Sequence, residues 1–320
     1  MGITFQSPQL TNEFSELPFL EDDSIRSAGS NAVTMSVSPK NISEFKVYKS
    51  LNEAVKVPDE VIILDLSSQS LTEISEEIRA FHNLRSLRLN YNEIKQIPEW
   101  ISELENLIEL DLSMNEVSTI PNSLLKLKKL THLNLDLNLI AELPSEIGNL
   151  KSLVVFRFTN NKITKLPDSI GELKNLYLLD ISSNSLVTLP ESLSNCSNLV
   201  NLSIHYNKLT KIPSAIGNLK KLTWLYFNKN QISTLPESFV GLSNLSYLGL
   251  SENQIKILPE NFGELTNLHG FDIDDNKLQS LPESFFNIKS LGDIHLKNNK
   301  LNNATKRKLE RKFKDIPLYL

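Results

Sequence analysis

The chain repeats one 23-residue unit eleven times between residues 61 and 301, without insertion or deletion. The unit has the pattern L-x-x-L-x-L-x-x-N-x-L-x-x-(I/L)-P-x-x-(I/L/F)-x-x-L, in which x is any residue. Its first position recurs every 23 residues at Val61, Leu84, Leu107, Leu130, Leu153, Leu176, Leu199, Leu222, Leu245, Leu268 and Leu291. A fixed period of this length indicates a stacked solenoid, in which each unit buries its apolar edge only against its neighbours. We therefore expect function to reside on a surface.

Each unit predicts one short strand followed by a turn. In Leu202-Ser203-Ile204 apolar and polar residues alternate, which is the period of a strand with one buried and one exposed face. The asparagine at the ninth position is predicted to satisfy the buried backbone of the turn and to form a ladder along the stack. It is replaced by Gln69 in the first unit and occurs as Asn92, Asn115, Asn138, Asn161, Asn184, Asn207, Asn230, Asn253, Asn276 and Asn299. The Ile-Pro and Leu-Pro pairs, from Ile97-Pro98 to Leu281-Pro282, then prevent regular structure from continuing, so the chain returns to the next strand.

This pattern resembles the 23-residue, LP-containing leucine-rich repeats of intracellular Ras-group scaffolds and of many bacterial repeat proteins. It covers about three quarters of the chain, and the entry segment 47–55 is more similar to the bacterial proteins. The resemblance implies an α/β solenoid: a curved stack of eleven units with a parallel sheet on its concave face, an irregular or short-helical convex side, and protein binding as its function. It implies no particular partner, because the shared residues are the buried ones.

Four segments are predicted: a flexible arm over 1–42, a helical cap over 43–60, the repeats over 61–303 and a second helical cap over 304–320. The N-terminal helix is expected to start at Ser43 and to bury one face before Pro58. Leu309, Phe313 and Ile316 have helical spacing in the C-terminal cap, whose basic residues are interpreted as a solvated face, with nucleic acid or an acidic membrane as the alternative. Because Cys196 is the only cysteine and occupies a core position, helices rather than disulfides must cover the ends.

Composition and motifs argue against several classes of function. The chain has a formal net charge of −5 and 40% hydrophobic residues, and no run approaches the roughly 18 apolar residues that a membrane helix needs. Residues 1–20 lack the pattern of a secretory signal, so a cytoplasmic protein is expected, with secretion or delivery to a host as alternatives. The sequence has no glycine-rich phosphate loop, G-x-S-x-G motif or zinc-spaced histidines, so neither an enzyme nor a cofactor is expected.

One acidic segment superficially matches a calcium-binding loop. Asp272-Ile273-Asp274-Asp275-Asn276 has the D-x-D-x-N start, but Lys277 stands where such a loop needs glycine. No metal site is predicted from this motif. A divalent ion held by Asp272, Asp293 and His295 on neighbouring strands stays open as an alternative.

The third, fifth and seventh residues of each unit are predicted to face outward from the concave sheet, and the eighth to lie at its edge. In units five to nine these outward positions hold a cluster of aromatic side chains, and Gly249 leaves room beside Tyr226. Exposed aromatic side chains are enriched at the centres of interfaces. Val155 belongs to the same cluster. The predicted partner-binding residues are Arg157, Leu178, Asp180, His205, Trp224, Tyr226 and Tyr247. Two alternatives stay open: the aromatic side chains pack only on one another, and Arg157 and Asp180 form an internal pair.

Charge on the concave face favours a basic partner. Three basic residues, Arg88, Arg157 and Lys297, face eight acids: Asp65, Glu109, Asp111, Asp136, Asp180, Asp272, Asp274 and Asp293. Nucleic acid is not expected there, because phosphate binding relies on many Lys and Arg side chains. The broad, open shape of such a sheet also argues against a small-molecule substrate.

The sequence therefore predicts a non-catalytic module that binds a protein or peptide on the concave face, as a scaffold, an adaptor or a bacterial host-interaction protein. Two alternatives are a surface adhesin for a matrix protein or glycan, and the recognition subunit of a phosphatase or ubiquitin-ligase complex.

Overall fold

The computed structural model describes residues 45–320. The predicted arm over 1–42 and the predicted helix start at Ser43 lie outside the described residues. Within 45–320, one sheet contains thirteen strands in sequence order. The strands are β1 Val47–Tyr48, β2 Ile63–Asp65, β3 Ser86–Arg88, β4 Glu109–Asp111, β5 His132–Asn134, β6 Val155–Arg157, β7 Leu178–Asp180, β8 Asn201–Ser203, β9 Trp224–Tyr226, β10 Tyr247–Gly249, β11 Gly270–Asp272, β12 Asp293–His295 and β13 Leu318–Tyr319.

Strands β2 to β12 are the eleven units, and they confirm the predicted solenoid. Neighbouring strands are parallel, and each residue pairs with the residue 23 positions later, as Leu64 does with Leu87. Short 3-10 helices occupy the returning segments instead of long α-helices. Their bounds are Pro58–Glu60, Glu76–Ala80, Glu99–Glu103, Asn122–Lys126, Ile147–Asn149, Asp168–Glu172, Glu191–Asn195, Ile216–Asn218, Glu237–Gly241, Phe262–Glu264 and Glu283–Asn287.

A continuous apolar core runs along the stack beneath the sheet. In unit seven, Leu199, Leu202, Ile204 and Leu209 are fully buried, as the alternating pattern predicts. Cys196 is also buried, where other units place leucine, and burial raises the pKa of its thiol to about 11. The apolar repeat positions therefore supply the stabilising burial.

The asparagine ladder is confirmed. The Nδ2 group of Asn184 donates to the carbonyl oxygens of Phe158, Ile181 and Ser182 at 3.0, 3.2 and 3.1 Å. Its Oδ1 accepts the N–H of Ile163 at 2.9 Å. One side chain thus satisfies backbone groups of two successive units, and the other ladder asparagines repeat the arrangement.

The eighth residue of every unit has a left-handed backbone, although none of these residues is glycine. Their φ values run from 53° to 58°. The residues are Ser68, Tyr91, Met114, Leu137, Asn160, Ser183, Tyr206, Lys229, Glu252, Asp275 and Asn298. Left-handed geometry costs an L-residue about 1–2 kcal/mol, so the tertiary structure imposes it against local preference.

The N-terminal region differs from the helix predicted to start at Ser43. Val47 and Tyr48 form strand β1, and the first helix, α1, covers only Leu51–Ala54. Val47 is exposed and Tyr48 is buried, which is the alternation of a strand rather than of a helix. The helical prediction failed there because the same apolar residues also fit a strand, and a single sheet-edge strand has no periodic signal.

The C-terminal region contains the expected helix and an additional strand. Helix α2 covers Asn303–Lys312, and Asn302 caps it by accepting the N–H of Thr305 at 2.8 Å. Leu309 is buried, and the Phe313 ring stacks 6.3 Å from that of Phe286. Strand β13 then pairs with β12, which the sequence analysis did not predict.

Candidate functional site

The outward side chains of β6 to β10 form the predicted contact surface. Trp224 and Tyr247 occupy paired positions on β9 and β10. Their rings stack with centroids 6.5 Å apart and an interplanar angle of 8°. The Tyr247 ring also meets the edge of the exposed His269 ring at 5.9 Å. Trp224 and Tyr247 stay partly exposed, so this aromatic stack is a rigid, accessible feature of the concave face.

Three residues expected on that surface are buried instead, and Asp180, at 7% exposed, is one of them. Tyr226 is 8% exposed and Val155 is 8% exposed. The Tyr226 ring lies over Gly249, where an added Cβ atom would approach the ring to 2.9 Å. Burial raises the pKa of the Tyr226 phenol to about 12. The Tyr226 ring therefore fills the space beside Gly249. Tyr226 packs beneath the contact surface and offers little area to a partner.

Arg157 forms an internal ion pair, but not with Asp180. Its Nη2 lies 2.7 Å from Asp136 Oδ2, and its Nε donates to the same oxygen at 2.8 Å. Asp180 instead accepts the N–H and O–H of Ser182, at 3.1 and 2.7 Å. The alternative of an internal pair between Arg157 and Asp180 is not observed, because Asp136, in the seventh position of the preceding unit, lies within reach of Arg157 and pairs with it. The ion pair thereby holds the side chains of Arg157 and Asp136 against the sheet.

His205 is held by two hydroxyl groups. Its Nδ1 lies 3.0 Å from both Ser182 Oγ and Ser203 Oγ. Burial lowers the pKa of His205, an effect that Asp180 opposes. Its ring meets Tyr206 edge-on at 5.5 Å. An oriented imidazole is therefore presented at the seventh position of unit seven, and Leu178, at the third position of unit six, is also partly exposed.

Half of the eight inward acids are buried rather than exposed: Glu109, Asp111, Asp136 and Asp180. Glu109 pairs with Arg88 at 3.2 Å. Asp111 accepts the N–H and the O–H of Ser113 at 2.8 and 2.7 Å, both at Oδ1. Desolvation raises the pKa of Asp111 to about 6, and the nearby Glu109 and Asp136 add to the effect. The concave face thus holds negative charge in a poorly hydrated layer.

The side chains of the acidic segment at β11 form hydrogen bonds that stabilise the repeat. Asp272 Oδ1 accepts the N–H of Asp274 at 3.1 Å, and Asn276 belongs to the ladder. His295 lies 3.3 Å from Asp293 and stacks on Tyr319 at 4.3 Å. Among residues 45–320, no group of three or more His, Cys, Asp and Glu side chains is placed to hold a metal ion.

The eighth residues lie at the rim of the concave face, where the sequence analysis places them, but it missed the large exposed apolar side chains among them. Tyr91 is 55% exposed, Tyr206 is 50% exposed and Leu137 is 42% exposed. The left-handed turn directs them outward, and the only available signal was a large apolar residue directly before a ladder asparagine. In units seven to nine the rim residues contact one another. Lys229 Nζ lies 4.4 Å from the Tyr206 ring centroid, a cation–π contact, and forms a salt bridge with Glu252 at 3.1 Å.

A groove of about 610 Å³ lies elsewhere, along the Ile-Pro and Leu-Pro segments of units two to four. Ile97, Ile120 and Leu143 in its lining are only 5–8% exposed. Polar side chains such as Glu99 and Glu142 provide the accessible part of the lining. The groove therefore adds little apolar contact surface. In the described part of the chain, no helix is long and apolar enough to cross a membrane.

Comparisons with known proteins agree with this architecture. A leucine-rich repeat region model matches residues 60–160 and 133–208, and a leucine rich repeat model matches residues 197–255. No curated protein matches the chain. The plant peptide hormone receptor RGFR1, solved in complex with RGF2, is 34% identical with a TM-score of 0.68, and the match covers 74% of this chain and 40% of the receptor chain. The chain thus spans less than half of that receptor.

Two bacterial structures show the same fold. An internalin of Listeria monocytogenes is 22% identical with a TM-score of 0.67, and the match covers 83% of this chain and 82% of the internalin. A leucine-rich-repeat protein of Leptospira interrogans is 23% identical with a TM-score of 0.51, and the match covers 86% of this chain and 100% of that one. With the two family models spanning more than half of the sequence, the chain belongs to the leucine-rich-repeat proteins and is similar to their bacterial members.

Proposed function

We propose that the protein is a non-catalytic binding module that captures a protein or peptide on the concave face of units five to nine. The stack of Trp224 on Tyr247 is the observation that carries this proposal. Large aromatic side chains that stay partly exposed in a fixed geometry lose little conformational entropy when a partner covers them. Trp224 and Tyr247 are therefore the proposed anchors.

The neighbouring side chains shape the rest of the surface. Leu178 and the hydrogen-bonded His205 offer an apolar and a neutral polar contact, whereas Arg157 and Asp180 are committed to internal partners. Strands about 4.8 Å apart give β6 to β10 a width of about 19 Å. At about 3.3 Å per residue, that width accommodates about six residues of an extended peptide, or one face of a folded domain.

The similarity to RGFR1 supports this proposal, since that receptor was solved with the peptide RGF2. Its 34% identity is higher than that of the bacterial structures, although this chain covers only 40% of it. The proposed partner presents apolar groups and a basic residue to this surface, because the concave face carries more acids than bases.

The test is affinity capture from lysate of the source organism, and of a host if there is one, with the wild type and a Trp224→Ala/Tyr247→Ala variant. We expect specific partners to be lost with this variant, because truncating anchor residues typically costs more than 1 kcal/mol each. A Val187→Ala/Ile257→Ala variant is the matched control, since both residues are exposed and apolar but lie outside the strands.

Circular dichroism should show that both variants fold. Partners retained equally by all three proteins would contradict the proposal and identify the aromatic stack as packing alone. A captured matrix protein would assign the adhesin role, and a captured phosphatase or ligase would assign the recognition-subunit role. In either case the loss with Trp224→Ala/Tyr247→Ala must be reproduced with the purified partner.

A further inference from the structure

The concave rim is apolar in units two to four. We name Tyr91, Met114 and Leu137 the apolar rim. Tyr91 is 55% and Leu137 42% exposed, and Met114 is partly buried. Backbone hydrogen bonds hold the three in adjacent rows: the N–H of Asn92 donates to Met114 O at 3.2 Å, and the N–H of Asn115 donates to Leu137 O at 3.3 Å. Exposed apolar side chains that are contiguous in this way mark interaction surfaces.

The rim residues also hold a costly backbone conformation. Their φ values are 58°, 55° and 54°. Glycine or asparagine would adopt this geometry more easily, and Asn160 does so at the same position of the next unit. Neither the fold nor solubility is improved by a large apolar side chain here. The side chains at these positions are therefore explained better by contact with a partner than by stability.

A buried carboxylate without a salt bridge among residues 45–320 lies beside the apolar rim. The carboxylate of Asp111 receives two hydrogen bonds from Ser113, both at Oδ1, and no ion pair from any residue in 45–320. The nearest basic residues are otherwise engaged, Arg88 with Glu109 and Arg157 with Asp136. Asp111 is 7% exposed and lies in an outward-facing position of β4.

Ser113 connects the carboxylate to the rim. Its side chain and its N–H hold Asp111, and its carbonyl oxygen accepts the N–H of Tyr91 at 3.0 Å. Rows about 4.8 Å apart place Tyr91 and Leu137 about 10 Å from one another, which is the length of about three residues of extended chain. A ligand that covers the rim therefore passes within a few residues of Asp111.

We propose that the apolar rim and Asp111 form a second docking surface, for an extended peptide segment that carries a Lys or Arg within about three residues of an apolar side chain. The apolar side chain covers the rim, and the cation forms the direct ion pair that Asp111 does not make within residues 45–320. A cation brought to a poorly hydrated carboxylate gains more than one at an exposed site. This surface lies outside units five to nine and does not depend on the aromatic stack.

The probe is a phage-displayed library of random linear peptides, selected on the wild-type protein and counter-selected on Asp111→Asn. We expect enriched sequences with a Lys or Arg close to apolar residues. A synthetic peptide of that sequence should bind the wild type about tenfold more tightly than Asp111→Asn or Leu137→Ser, since the first variant loses the charge partner and the second an apolar anchor. Asp111→Asn removes the charge but keeps the oxygen that accepts both hydrogen bonds from Ser113, so weaker binding to it does not arise from unfolding.

Two matched controls should keep wild-type affinity. Asp65→Asn changes an aspartate that contacts Ser67 as Asp111 contacts Ser113, and Val187→Ser changes an exposed apolar residue away from the rim. The Trp224→Ala/Tyr247→Ala variant should also retain the peptide. Enriched peptides without a cation, equal binding to Asp111→Asn, or no enrichment over that variant would each overturn the proposal. Loss only in the aromatic variant would overturn it as well, while supporting the surface in units five to nine.

Discussion

The strongest quantitative prediction concerns Asp111→Asn, which we expect to stabilise the protein at neutral pH. Desolvation raises the pKa of this carboxyl from 3.8 to about 6. Because the folded state therefore holds the proton more tightly than the unfolded state, ionising the carboxyl opposes folding. The difference between 3.8 and about 6, at about 1.4 kcal/mol for each pH unit, corresponds to about 3 kcal/mol.

The substitution should keep the local contacts. Both hydrogen bonds from Ser113 end on Oδ1, which an asparagine side chain retains. Its new amide group requires an acceptor and offsets part of the gain. We therefore expect Asp111→Asn to increase the free energy of unfolding by about 1–3 kcal/mol at pH 7.

The gain should depend on pH in a defined direction. The penalty in the wild type is absent below about pH 4, grows between pH 4 and 6, and is complete above pH 6. Urea unfolding followed by circular dichroism at pH 4 and pH 7 measures the difference. Because a repeat stack can unfold in parts, hydrogen exchange of the β4 amides should also be measured, to give the local stability around Asp111. An NMR titration should give a carboxyl pKa near 6.

Asp65→Asn is the matched control for this measurement. Asp65 accepts hydrogen bonds from the N–H and O–H of Ser67, at 3.1 and 2.6 Å, but stays partly exposed. Its substitution should change stability by less than about 0.5 kcal/mol. A destabilised Asp111→Asn at pH 7, a gain that is equal at both pH values, or a carboxyl that titrates near 4 would refute the reasoning.

Three further predictions concern the fold. Asn184→Ala should cost about 3 kcal/mol in urea unfolding, because it leaves buried backbone groups unsatisfied, whereas Asn175→Ala, which removes one exposed hydrogen bond, should cost less than about 1 kcal/mol. Ser183→Val should be about 1–2 kcal/mol less stable than Ser183→Gly, since φ is 54° there; equal midpoints would contradict this. Cys196, with a pKa of about 11, should react with iodoacetamide in concentrated urea but not in the native protein at pH 8, and rapid native labelling would show that its burial is wrong.

The buried charge of Asp111 also relates stability to function. A carboxylate whose ionisation is predicted to oppose folding occupies a position where asparagine fits the same contacts. Sites that sacrifice stability in this way often serve binding, because the partner supplies the missing interaction. The stability measurement and the peptide selection therefore examine the same residue by independent readouts.

Much of the fold could be predicted because its determinants are local and periodic. The first, fourth and sixth positions give the buried face of each strand, the ladder asparagine gives the turn, and the interval of 23 residues gives the register. These features depend on neighbouring units alone, so the number of strands between β2 and β12 follows from counting repeats. Segments outside the repeat, such as β1 and β13, carry no such period and were missed.

The candidate site was less predictable, since alternation indicates which face a side chain takes but not how its neighbours cover it. Tyr226 faces outward yet is buried over Gly249, and Arg157 pairs with Asp136 of the preceding unit instead of with Asp180. The sequence by itself determined the repeat, the core and the parallel order of strands. Only the tertiary structure decided which concave side chains remain accessible, which charges are paired, and that the eighth residues at the rim have a left-handed backbone. Those properties arise from packing between adjacent units, where side-chain size, reach and desolvation compete.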